Sequence, residues 1–177
     1  MQAPEPAQKY GKTFAIIAWL IVMVLLFMFF QDTINKQLNP NQTLQSVTGA
    51  SGETRTVLIR NKSGHYVGTA LLNGEPVNFM LDTGATTIAI DADTAKRLGL
   101  PFGQPIQVNT ANGVTRAFMS KVDSLQLGDI RLFDIAASIV PNLASDGEES
   151  EILLGMSALK QLEFHQQGNQ LTLIQHN

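Results

Sequence analysis

Cysteine is absent from the 177 residues. That excludes disulfides, thiolate nucleophiles and cysteine-ligated zinc, and it suits an oxidising compartment. Charge is sparse too, at 15% of residues. Beyond Thr56, eight Lys and Arg face twelve Asp and Glu, and the basic residues are scattered. No surface suited to nucleic acid is expected from such a pattern. The three histidines, His65, His165 and His176, lie far apart and fit no metal-ligand spacing. Gly155-Met156-Ser157-Ala158-Leu159 lacks the second glycine of a nucleophile elbow, which argues against a serine hydrolase. Asp146, Glu148, Glu149 and Glu151 miss the EF-hand spacing and read as a solvated acidic loop.

Long apolar runs are also lacking, with one exception. Residues 14–30 form a block of 17 residues without a charge. As a helix it would be about 26 Å long, close to the thickness of a bilayer core. It has no polar face, which a soluble core helix would show. No small-residue cleavage pattern follows it, so an uncleaved transmembrane helix over residues 13–31 is expected, rather than a cleaved signal peptide. Its contact with the lipid bilayer is through residues 14–30. Lys9, Lys12 and the terminal amine precede the block, whereas Asp32 and Lys36 cancel behind it. The positive-inside rule then puts residues 1–12 in the cytoplasm and the remainder across the membrane. Residues 32–55 are rich in Gln, Asn, Thr, Ser and Gly and read as a flexible linker. The folded domain is expected over 56–177.

That domain reads as mainly β. Apolar, β-branched stretches at 56–60, 65–72, 76–81, 86–90, 106–110, 114–119, 122–127, 130–140, 152–154, 163–167 and 171–175 are candidate strands. Asn73-Gly74 and Asn112-Gly113 are strong hairpin signals, because a type I′ turn needs positive φ at both central residues. Gly128-Asp129 and Gly168-Asn169 mark two more turns. Residues 91–98 switch to helical spacing, with Asp91 as cap and Gly99 as stop. A second short helix is expected at 156–162. Many short strands with one or two short helices predict an all-β barrel or sandwich.

One local pattern carries chemistry. Asp82 ends the apolar run Val77-Asn78-Phe79-Met80-Leu81, which sets a carboxylate at the lip of a core. Thr83 offers a hydroxyl, and Gly84 lets the backbone bend and approach closely. By itself this reads more readily as an Asx-turn after a strand. Some 70 residues on comes Ile152-Leu153-Leu154-Gly155, an apolar strand, a glycine and then a helix. Between them lies the hairpin with Asn112-Gly113 at its tip. Asp-Thr-Gly-Ala-Thr, a central hairpin and Leu-Leu-Gly, in this order, resemble the retropepsin-like aspartic proteases. The resemblance spans roughly 56–177 and is nearest to bacterial members held by a single N-terminal membrane anchor.

The resemblance implies a closed retropepsin-like barrel and an aspartic endopeptidase with Asp82 as its catalytic residue. Asp82-Thr83-Gly84 is the chain's single Asp-(Thr/Ser)-Gly, so the second carboxylate would come from a homodimer partner on a two-fold axis. Thr83 would bond across the dyad, Gly84 would bring backbone to the carboxylates, and Ala85 would line the substrate floor. Leu154 and Gly155 would support the loop, and Asn112 and Gly113 would form a flap over a bound peptide. Residues 56–60 and 171–175, as short unpaired edges, would build an interleaved dimer sheet. No cofactor and no metal is called for. The location implied is the inner membrane, with the protease domain periplasmic. Two other readings stay open: a non-catalytic peptide-binding module with the same cleft, and a structural β-domain.

Overall fold

The computed structural model describes residues 6–49, 52–110, 113–143 and 150–176. They fall into two units, Met1–Gln37 and Leu38–Asn177. The first is the greater part of helix α1 (Pro6–Leu38), 33 residues and so about 50 Å long. It extends past both ends of the expected 13–31. No glycine or proline interrupts residues 32–38, and the helix stops just before Asn39-Pro40, where a following proline disfavours helical backbone. Over Gly11–Leu38 it is long and apolar enough to cross a membrane, a test that a signal sequence also passes.

The second unit has eleven strands in chain order: β1 (Gln45–Thr48), β2 (Thr54–Ile59), β3 (Val67–Leu72), β4 (Glu75–Leu81), β5 (Ile88–Asp91), β6 (Pro105–Thr110), β7 (Gly113–Leu127), β8 (Ile130–Val140), β9 (Ile152–Leu154), β10 (Glu163–Gln167) and β11 (Gln170–Gln175). Helices α2 (Ala92–Arg97) and α3 (Met156–Leu159) are short. Seven strands form one sheet in the order β3-β4-β9-β5-β8-β7-β6, and a β3–β7 pairing closes part of it into a ring. Phe79, Leu72, Ile90, Leu125, Ile139 and Leu154 are fully buried inside it.

Asn73 and Gly74 have φ of 51° and 88°, the left-handed pair that the β3–β4 turn requires. The Asn73 side chain also closes the ring. Its Oδ1 accepts from the N–H groups of Asp123 and Ser124, each at 3.0 Å. That staple lies in the C-terminal half of β7, a single strand of 15 residues where the sequence suggests two. Ser120 and Lys121 include no glycine, proline, asparagine or aspartate, and β8 pairs with β7 through them and on both sides.

Two expectations need correction. Residues 32–55 are not a free linker throughout. Asn41 is buried at 4% exposure. Its Nδ2 donates to the carbonyls of Ile59 at 2.9 Å and Val67 at 2.6 Å, and its Oδ1 accepts from Ile59 N at 2.7 Å. Farther on, β1 pairs with β2, and Ser46 Oγ lies 2.7 Å from Thr56 Oγ1. Polar side chains here complete the backbone of β2 and β3. Second, the strands near the two ends of the domain are not edges. The other sheet runs β1-β2-β11-β10, so β2 and β11 pair with each other inside the chain, flanked by β1 and β10.

Asn41→Ala would leave three backbone groups without their partner in a dry setting. It is expected to destabilise the fold by about 3 kcal/mol, read by urea unfolding of the full chain in detergent. A loss below about 1 kcal/mol would mean that water replaces the side chain.

Candidate active site

Strand β4 buries Val77 and Phe79 and reaches the rim of the core at Leu81. There Leu81 N donates to Tyr66 O at 2.9 Å and Asp82 N to Leu154 O at 3.1 Å. Parallel pairing of Leu81 with Leu154 sets the register. The chain then turns. Gly84 N donates to Asp82 Oδ1 at 2.8 Å, and Ala85 N to Asp82 O at 3.3 Å. The Asx-turn and the candidate site are therefore one geometry, and the turn fixes the carboxylate. Asp82 and Ala85 are half-buried; Thr83 and Gly84 are exposed.

The far limb of the loop is held by α3. A helix N-terminus presents N–H groups without intrahelical partners. Gly155, at the N-cap, has no side chain to serve them. The loop serves them instead: Met156 N donates to Ala85 O at 2.8 Å and Ser157 N to Thr86 O at 3.0 Å. Such close approach requires glycine at 155, because a Cβ there would lie 2.7 Å from Ala85 O and nearer still to Thr87 O. Ser157 Oγ accepts from Ile88 N at 3.0 Å and donates to Ala136 O at 2.7 Å. Thr87 and Ser138 share a hydroxyl contact at 3.0 Å.

Asp82, Thr83, Gly84, Ala85, Leu154 and Gly155 thus meet in one place. Gly113 begins β7 with φ of 108°, opposite Thr110 in the β6–β7 hairpin. Asn112 lies outside the described residues. A small apolar cluster joins Ala89, Ala117 and Val140, with Ile106, Val108 and Leu153 packed on it. It ties the hairpin to β5, the strand that follows the site loop, and to β9, which pairs with β4 ahead of the loop. This cluster and Ser157 escape sequence reading. Their signals are faint: Leu153 alternates against Ile152 and Leu154, and Ile106 and Val108 alternate with polar neighbours.

Farther along, Glu151 braces the approach to β9. Its carboxylate accepts from Asn78 N at 3.0 Å and Thr94 Oγ1 at 3.3 Å, and it pairs with Arg97. On α2, the Lys96 ammonium bonds Asp93 at 2.8 Å and holds its exposed carboxyl below the ordinary value. Among the described residues, no three His, Asp or Glu side chains gather as a metal-ligand set.

Residues 68–161 match the family of gag-polyprotein putative aspartyl proteases. An uncharacterized Sinorhizobium protein from the cobV 5′ region is 32% identical over 174 residues, covering 92% of this chain and 73% of that protein. An uncharacterized protein of Rickettsia prowazekii (strain Madrid E) is 31% identical over 75 residues, 41% of this chain and 32% of its own length. Among solved structures, a retropepsin-like aspartic protease from Rickettsia conorii is similar, with 26% identity and a TM-score of 0.57 over 75% of this chain and 96% of that one.

Proposed function

This chain belongs to the retropepsin-like aspartic proteases, and we propose that it is a membrane-anchored endopeptidase whose catalytic dyad is Asp82 from each of two copies. The observation that carries this reading is the Asp82 carboxylate, fixed by Gly84 N at 2.8 Å on a loop that α3 and β9 hold from both sides. A single chain supplies one such carboxylate, and the chemistry uses two.

Two carboxyls about 3 Å apart share one proton, because both cannot ionise easily at that distance. The ionised member takes a proton from a bound water. The protonated member donates to the scissile carbonyl oxygen. Water attacks the carbonyl carbon, and the diol collapses as a proton passes to the leaving amine. Thr83 braces the two loops against each other, Gly84 and Ala85 form the floor, and the hairpin carrying Asn112 and Gly113 closes over a peptide bound as an extended strand. Residues 13–31 anchor the chain in the inner membrane, with the N-terminus cytoplasmic and the protease domain periplasmic. Two domains in one membrane share a thin layer, which favours their meeting.

The test is cleavage of a peptide library by the full chain in lipid vesicles across pH. Cleavage that rises and then falls with pH is expected where two carboxyls must hold one proton between them. No cleavage, or a rate rising steadily into the alkaline range, would overturn the reading.

A further inference from the structure

We propose that the second copy docks along the free edge of β10, antiparallel and centred on Phe164, so that two four-stranded sheets run on into one. This rests on the reading of Asp82 as a half-site, and it names the surface that brings two half-sites together.

In the sheet β1-β2-β11-β10, β10 is an outermost strand and, among the described residues, pairs only with β11. All five of its residues are exposed. Phe164 stands opposite the buried Leu173, on the core-facing side of the sheet, yet it is 44% exposed. A large apolar side chain at an open edge is covered when another strand arrives.

The backbone offers the matching groups. Gln167 and Gln170 flank the two-residue turn Gly168-Asn169, with Gly168 at φ 60°. In such a hairpin the flanking pair is hydrogen-bonded. Counting back in twos, Gln167, His165 and Glu163 direct their N–H and C=O at β11. Phe164 and Gln166 direct theirs outward. An unblocked edge of this kind is a template for another strand, and antiparallel pairing of one strand with its own copy satisfies a two-fold axis.

Position selects β10 over the other edge. Leu162 N donates to Leu159 O at 3.0 Å, so β10 follows at once from α3, the helix whose N-terminus holds Ala85 and Thr86. β1 lies three strand spacings away, about 14 Å. β10 is thus the edge that α3 joins to the Asp82 loop.

Side chains select the register. Centring on Phe164 sets Phe164 against the partner's Phe164, and Glu163 against the partner's His165 twice over. Each is a favourable cross-strand pair, since the imidazole donates to a carboxylate in either charge state. Centring on His165 would oppose two imidazoles and leave Glu163 facing glutamine. Glu163 Oε2 also lies 2.9 Å from His176 Nε2 in its own chain, and a carboxylate can accept from both rings.

The absence of cysteine makes the test clean. Phe164→Cys, His165→Cys and Val47→Cys are made singly in the full chain in detergent and treated with a mild oxidant. At the centre of the register the two Cα atoms stand about 5.5 Å apart, within disulfide range. Copies of residue 165 lie diagonally, about 7–8 Å apart, and Val47 on β1 lies at the opposite edge. Phe164→Cys is expected to cross-link about tenfold faster than the other two. Fastest linking at 165 would overturn the register, fastest linking at 47 would place the interface on β1, and equal rates would mean random collision. Gln166→Pro removes an outward N–H without touching the β10–β11 ladder. It is expected to weaken self-association by about tenfold in sedimentation, with an unchanged circular dichroism spectrum. Undiminished association would overturn the proposal. Linking at 164 without peptide cleavage by the parent chain would sink the protease reading alone, and cleavage without linking would sink this interface alone.

Discussion

An Asp82→Asn chain is expected to lose peptide cleavage by about 10³–10⁴-fold while folding as stably as its parent. Asparagine keeps an Oδ1 that can accept from Gly84 N, now at 2.8 Å, so the turn survives and the stability change should stay below about 1 kcal/mol. What is lost is the shared proton, since an amide neither deprotonates water nor passes an acidic proton to the carbonyl. Mixing parent and Asp82→Asn chains sharpens the result. If each site needs both copies, an equal mixture retains about a quarter of the activity, because only parent–parent pairs work. Independent sites would retain about a half. Linear loss with dilution, or full activity in the variant, would remove Asp82 from the chemistry or the second chain from the site.

The backbone of the Asp82 loop was legible because its signals are local. Asp-Thr-Gly after an apolar run, and Leu-Leu-Gly before a helix, each fix their own backbone within a few residues. Asn73-Gly74 was legible for the same reason, since positive φ in succession is a demand few residue pairs meet. Asn41 was not. Composition counts a polar stretch as unable to bury itself. It has no means of registering an asparagine amide that stands in for a strand partner 18 residues away at Ile59 and 26 away at Val67. The sheet order was hidden likewise. The sequence shows that 56–60 and 171–175 are strands, but their pairing with each other spans most of the domain. That pairing changes the expected dimer. With β2 and β11 occupied at home, the dimer we propose is joined at an edge and not by interleaving.

The loop's own geometry leads to the second large effect. Gly155→Ala is expected to destabilise the domain by about 3 kcal/mol or more and to remove activity with it. The added Cβ would lie 2.7 Å from Ala85 O and nearer still to Thr87 O. Both are backbone atoms, so no rotamer change relieves the overlap. Ala85 O also accepts from Met156 N at 2.8 Å, and moving it exposes the N–H groups of α3 that the loop caps. Conformational freedom is not the reason for glycine here. Its φ of −92° and ψ of −175° are open to alanine, and an N-cap position ordinarily favours Ser, Asp or Asn. The glycine stands because carbonyls already fill the space where a side chain would begin. Gly84→Ala is the control: the nearest atom to its Cβ would be Asp82 Oδ1, at 3.1 Å, and a side chain can give by a few tenths of an ångström. Its loss should stay under about 1 kcal/mol. Urea unfolding of both variants in detergent reads the difference. Equal stabilities would mean that the Asp82 loop does not depend on α3, and that the fixed carboxylate has some other support.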